Sequence, residues 1–166
     1  MAMEKALSNS AFKSLTFSQT LQNILTLDRI VIAAKMPSKK KVLEQIAQSV
    51  AFSLPTLRVH EIFDSLIARE RLGTTALGQG FAIPHCRLAI PEPIGCFMLL
   101  KEGVDFEAED NVLVDMLFAL FVPEDANEQH LELLADIALI FRQHAMRAQL
   151  RSATNCEQLY QRLIHG

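Results

Sequence analysis

Val112-Leu-Val-Asp-Met-Leu-Phe-Ala-Leu-Phe121 is the stretch on which the fold turns. It is too short to cross a bilayer and it contains Asp115. It is apolar enough to be a central β-strand covered on both faces. The chain around it, from Thr74 to Val122, is dominated by Gly, Pro and short β-rich runs. Gly80-Phe-Ala-Ile83 and the run from Ile94 to Leu100 read as half-buried strands, and Arg29-Ile-Val-Ile-Ala33 as a further short one.

Helical periodicity lies on either side of this centre. Thr20 to Leu25 supplies one or two helical turns. Ser38 is an N-cap for a helix to about Phe52, with Val42, Leu43, Ile46, Ala47 and Val50 as one buried stripe. Lys39, Lys40 and Lys41 fall in its first turn, as a solvated cationic face or a dock for an acidic partner. A second helix spans about Leu57 to Leu72, with Val59, Ile62, Phe63, Leu66 and Ile67 inward and Gly73 as its stop. Asn127 caps a third, whose stripe is expected at Leu131, Leu134, Ala135, Ala138 and Leu139. Shorter helices follow near Gln143 to Arg151 and Cys156 to Leu163. The expected class is α/β: a three-layer α/β/α sandwich with a mixed four- or five-stranded sheet flanked by helices. Residues 1–18 read as a loosely ordered extension and 19–166 as one domain.

Composition narrows the function. Of 166 residues, 50% are apolar and 21% charged, with only six Gly and six Pro, so disorder is not the main description. The formal charge of −3 argues against a nucleic-acid binder working by bulk electrostatics. Three cysteines without a CxxC suit neither a disulfide framework nor a zinc knuckle and point to a reducing, cytoplasmic setting. No continuous apolar segment suggests a secretory signal or membrane insertion.

The segment Leu77-Gly-Gln-Gly-Phe-Ala-Ile-Pro-His-Cys-Arg-Leu88 is where chemistry concentrates. Gly78 and Gly80 permit positive φ, and Pro84 fixes its own φ while holding Ile83 extended. His85 is thereby presented from a strand end on a stiff backbone. An imidazole that accepts a phosphoryl group needs this: one ring nitrogen held, the other aimed. Guanidinium groups that could offset the incoming charge are Arg69 and Arg71 upstream and Arg87 downstream. His130, in the first turn of the helix after Asn127, is placed where backbone N–H groups favour an anion. Taken alone, His130 also fits a capping or surface role, and Arg69 and Arg71 fit cations completing a helix C-terminus. His60, His144 and His165 have no constellation. His85 and Cys86 are adjacent and point to opposite faces, which is poor for a shared metal. The chain has no GxSxG, no Walker A loop and no full GxGxxG, so no ATP, NAD or other cofactor is expected.

At these residues the chain resembles enzyme IIA of the bacterial phosphoenolpyruvate-dependent phosphotransferase system, in its fructose–mannitol class. Arg69-Glu-Arg-Leu-Gly-Thr-Thr-Ala-Leu-Gly-Gln-Gly-Phe-Ala-Ile-Pro-His85 looks like the family signature, with the arginine sixteen residues before the histidine. Phe118-Ala-Leu-Phe-Val-Pro123 followed by Gln129-His-Leu131 is similar to its second hallmark. The resemblance implies that His85 is the phosphorylated histidine, Arg69 the arginine that stabilises it and His130 the second active-site histidine. It implies a histidine-containing phosphocarrier protein as donor. The chain looks most like the nitrogen-regulatory branch, in which the phosphorylation state controls other proteins, including potassium transport and sensor systems. The alternative is a sugar-specific component that passes phosphate to a separate IIB protein, and a third is a binding module whose histidine site has decayed. Cys86 stands where many relatives carry Gly or Ala.

Overall fold

In a computed structural model, residue 19 and residues 21–165 are described, and the extension expected over residues 1–18 lies outside them. A 3₁₀ turn, Leu27–Arg29, leads into β1 (Ile30–Ala33), then α1 (Lys39–Ser53) and α2 (Val59–Arg71). The middle of the chain forms β2 (Ala76–Gly78), β3 (Phe81–Ala82), β4 (His85–Leu88), β5 (Ile94–Val104) and β6 (Val114–Pro123). Three helices close it: α3 (Glu128–Phe141), α4 (His144–Arg151) and α5 (Cys156–His165).

All six strands join one mixed sheet. β5 and β6 form its antiparallel centre, with Phe97 opposite Phe118, and β1 lies parallel on the far side of β5. The other edge of β6 receives β3 and then β4, both parallel to it, while β2 turns back antiparallel on β3. β3 and β4 are two halves of one extended line: Phe81 faces Met116, Ala82 faces Leu117, and His85 faces Leu120 with no change of register. Pro84 splits that line because it has no N–H to give the ladder. Its carbonyl still takes part, accepting from Leu120 N at 2.9 Å. The mixed sheet is therefore as expected, with six strand segments in place of four or five because of this split and the short β2 edge.

The central run is buried on both faces, as its composition requires. On one side Phe97, Met116, Phe118 and Leu120 pack with Ile137 and Phe141 of α3, Leu150 of α4 and Leu159 of α5. On the other, Met98, Leu117, Ala119 and Phe121 pack with Val42, Ile46 and Val50 of α1 and Ile62 and Leu66 of α2. The Phe81 and Phe141 rings stack at 4.3 Å between centroids, and Phe97 meets Phe118 edge-on at 6.5 Å. Gly95 lets the Phe118 ring in, since a Cβ there would stand 2.8 Å from its Cζ. Among the described residues no helix is long and apolar enough to cross a membrane.

The helices follow their capping signals. Ser38 Oγ accepts Lys41 N at 3.2 Å, and the expected stripe of α1 is the buried one. Asn127 Oδ1 accepts Gln129 N at 3.0 Å at the start of α3. The face of α3 differs from expectation. Leu133, Ile137 and Phe141 are buried, whereas Leu131 and Leu139 are 59% and 60% exposed. Apolar residues surround much of this helix, so periodicity alone does not choose a face, and the aromatic cluster around Phe141 does. Arg29, expected to open a strand, instead ends the 3₁₀ turn and is buried. Its guanidinium donates to Gly95 O, Ile24 O and Ser53 Oγ, tying three segments together, and burial pushes its pKa below the ordinary value.

Candidate functional site

A cleft of about 430 Å³ opens between the end of α2, strand β4 and the start of α3. Arg69 and Leu72 come from α2 and its end, His85, Cys86 and Arg87 from β4, and His130 and Leu131 from α3. Three sequence-chosen residues, His85, Arg69 and His130, thus meet in one cavity. Arg71, two residues beyond Arg69, faces a separate groove beside Lys39 and does not join them.

His85 is the first residue of β4, held in place by the register of Pro84 and Leu120 against the central strand. Its Nδ1 lies 2.8 Å from Ile83 O, and its Nε2 lies 3.2 Å from Arg69 Nε. A carbonyl can only accept and a guanidinium can only donate, so Nδ1 carries the hydrogen and Nε2 the lone pair. The ring is therefore a neutral imidazole with its nucleophilic nitrogen in the cleft. Burial lowers its pKa from the ordinary value, and Arg69 lowers it further, while the Ile83 carbonyl and Glu70 oppose them. The net direction favours the neutral ring.

Arg69 sits in the last turn of α2, where a cation is favoured by the helix dipole. Its Nη1 donates to Gly73 O at 2.9 Å, which fixes the guanidinium plane against the chain leaving the helix. One guanidinium thus closes the helix end and contacts His85. Nη2 makes no hydrogen bond with the described residues, so it is available to an anion in the cleft.

His130 also does two things. Its Nδ1 accepts Asn127 N at 3.2 Å and completes the capping box of α3. That bond leaves the proton on Nε2, a donor on the ring edge away from the cap. Arg87 Nη1 donates to Glu124 O at 2.9 Å and so braces the loop between β6 and α3. Cys86 alternates to the side of α1 and α2, where burial pushes its thiol pKa up to about 12. The thiol is therefore protonated at neutral pH.

Two sets of residues supporting the site were not singled out from sequence. Glu70 is 7% exposed, on the buried face of α2 after Ile62 and Leu66. The signal was there: a carboxylate continuing an apolar stripe at four-residue spacing. The residues that anchor the Gly78-Gln79-Gly80 turn, Asp110, Arg147 and Arg151, are the other. All three turn residues have positive φ, and Asp110 Oδ2 accepts Gln79 N at 2.7 Å. Arg147 reaches Gln79 Oε1 from α4, and Arg151 donates to Gln79 O at 3.0 Å while pairing with both oxygens of Asp115. No local pattern joins a turn to a helix about seventy residues later.

This arrangement, a neutral imidazole with a guanidinium on its free nitrogen at the edge of a mixed α/β/α sheet, defines a candidate anion-handling transfer site. Residues 23–166 match the family described as "Phosphoenolpyruvate-dependent sugar phosphotransferase system, EIIA 2", and the chain belongs to it. The chain is 48% identical over 145 residues to the "Nitrogen regulatory protein" of Pseudomonas aeruginosa, covering 87% of this chain and 94% of that one. It is 36% identical over 146 residues to the protein of the same description from Escherichia coli, covering 86% and 89%. Among solved structures, Nitrogen Regulatory Protein IIA-Ntr from Neisseria meningitidis superposes with a TM-score of 0.80 at 37% identity, over 87% of this chain and 99% of that one. IIA mannitol from Escherichia coli shares the fold, with a TM-score of 0.68 at 18% identity over 84% and 98%. Membership supports a phosphoryl-carrier regulatory role within the phosphotransferase system.

Proposed function

We propose that the protein takes a phosphoryl group on Nε2 of His85 from a phosphohistidine of a small phosphocarrier protein and signals by its phosphorylation state. The observation that carries this reading is the His85 ring itself, with Nδ1–H on Ile83 O and the Nε2 lone pair facing Arg69 in the cleft. The Nε2 lone pair forms a bond to phosphorus, and the donor's N–P bond breaks with its electron pair returning to the donor nitrogen. The donor ring enters protonated on its far nitrogen and leaves as neutral imidazole, so the positive charge passes to His85 with the phosphoryl group. Arg69 Nε, which occupies the lone pair at rest, turns to a phosphoryl oxygen as the group arrives, and Nη2 supplies a second donor. His130 Nε2–H is a further donor from the α3 side of the cleft. Positioning and charge compensation then do most of the catalysis, as phosphoryl transfer allows.

The relatives at 36–48% identity are described as nitrogen regulatory proteins, which favours regulation over sugar transport as the use of this phosphoryl group. The test is phosphorylation with phosphoenolpyruvate, the first enzyme of the system and the carrier, read as a mass shift. The wild-type protein gains one phosphoryl group, His85→Ala gains none, and Arg69→Ala gains it more slowly or loses it faster. Undiminished labelling of His85→Ala overturns the assignment. Onward transfer to a cysteine of a IIB protein would instead make this a sugar-system component.

A further inference from the structure

The carbonyl that holds the His85 ring is itself held, through a short chain of bonds, by a buried carboxylate. Ile83 O accepts His85 Nδ1–H at 2.8 Å. Ile83 N donates to Thr75 O at 3.1 Å. Thr75, 5% exposed, is gripped twice by Glu70: Thr75 N donates to Oε1 at 3.1 Å and Thr75 Oγ1 to Oε2 at 2.6 Å. Lys39 Nζ, from the first turn of α1, completes Oε1 at 3.2 Å and sits 5.5 Å above the Phe106 ring.

A carboxylate on the inward stripe of α2 is costly to desolvate, and an aliphatic side chain would pack in line with Ile62 and Leu66 without that cost. What an aliphatic residue could not do is take both donors of Thr75 and so set where β2 begins. β2 in turn sets β3, and the carbonyl of Ile83 ends that line directly before Pro84. We infer that Glu70 is a positioning residue for His85, acting through Thr75 and Ile83 to keep the ring in its Nδ1–H form with Nε2 toward Arg69.

The inference rests on His85 being the phosphoryl acceptor, but its geometry stands apart from that. The charge of Glu70 also acts on the ring directly, making it more basic. That direction suits a ring that becomes cationic when it carries a phosphoryl group. The other titratable and charged residues lining the cleft are Arg69 from α2, Cys86 and Arg87 from β4, and His130 from α3.

The test is nitrogen-15 NMR of the His85 ring in the full, unphosphorylated chain, which reads tautomer and ring pKa without any phosphoryl donor. In the wild type the ring is Nδ1–H. In E70Q, whose amide cannot accept both Thr75 donors and carries no charge, the Nε2–H form gains population and the ring pKa falls. T75V, which removes the hydroxyl, shifts the tautomer the same way, and T75S restores it. Phosphorylation of E70Q and T75V slows roughly 10-fold or more, as misplacement of a reacting group does. If E70Q does not fold, the T75V and T75S pair decides by the same ring signals. Folded variants with wild-type tautomer and ring pKa overturn the inference. A shifted tautomer in E70Q together with a wild-type protein that is never phosphorylated would sink the acceptor reading and leave the positioning role standing.

Discussion

The His85 side chain meets two conditions that reinforce each other: it is partly buried, and it stands next to the Arg69 guanidinium. Burial and Arg69 both push protonation to lower pH, so the sign of its effect on stability can be worked out. The folded ring binds its proton more weakly than the unfolded one, whose pKa is near 6.5. The stability it contributes is therefore complete above that value and is lost as pH falls from about 6.5 through the folded pKa. In a titration followed by ring proton shifts, His85 is expected to have a midpoint below 6.5, and urea midpoints of the wild type should fall more steeply with acid across that window than those of His85→Ala. The residues of this site were legible for specific reasons. Gly78, Gly80 and Pro84 restrict or release backbone angles wherever they occur, so the presentation of His85 could be read locally. The burial of Glu70 was legible in the stripe of Ile62 and Leu66, but its role was not, because it depends on Thr75 in the loop before β2 and on Lys39 from α1. Arg71 shows the converse error: charge type matched the chemistry, but two residues along a helix turn the side chain to another groove.

At the level of elements, capping chemistry predicted boundaries better than periodicity predicted faces. Ser38 and Asn127 fix the starts of α1 and α3 because their oxygens satisfy backbone donors that no neighbour can reach. Replacing Asn127 by Ala should cost about 1 kcal/mol of stability, read from urea denaturation. It should leave the His85 ring signals unchanged, since the two side chains belong to different elements. A loss under a few tenths of a kcal/mol would mean that the His130 half of the capping box carries this terminus. The α3 face was misread because Leu131 and Leu139 look as apolar as Leu133 and Ile137. Only the position of Phe81, Phe97 and Phe118 decides which side of the helix meets the sheet. Strands β2 and β4 were absent from the sequence reading for a related reason. Ala76–Gly78 is only three residues long, and His85–Leu88, though it alternates polar and apolar residues, is only four; both are strands because β3 and β6 offer them partners.

Over the whole molecule, the sheet divides the interior into two apolar layers that share β5 and β6. At Gly95 an aromatic ring fills the place a side chain would take in this shared wall. A methyl group there meets the Phe118 ring at 2.8 Å, and that ring is packed against Phe97 and Phe141. Gly95→Ala should destabilise the protein by about 1–3 kcal/mol, the range for overpacking a filled core, measured by denaturant unfolding. A neutral result would show that the aromatic layer can shift as a block. The three-layer class was legible because a run as apolar as Val112–Phe121 must be covered twice. Its neighbours were not, since pairing across the sheet joins residues far apart in sequence. The broken line of β3 and β4 has a consequence for motion. Leu120 N ties Pro84 to the strand clamped between both layers, so His85 hangs from backbone buried on both faces of the sheet. Fluctuations that open the surface loops leave the imidazole where it is. Amide exchange at Leu120 and loss of the reactive geometry should then report one event, the cooperative opening of the entire sheet.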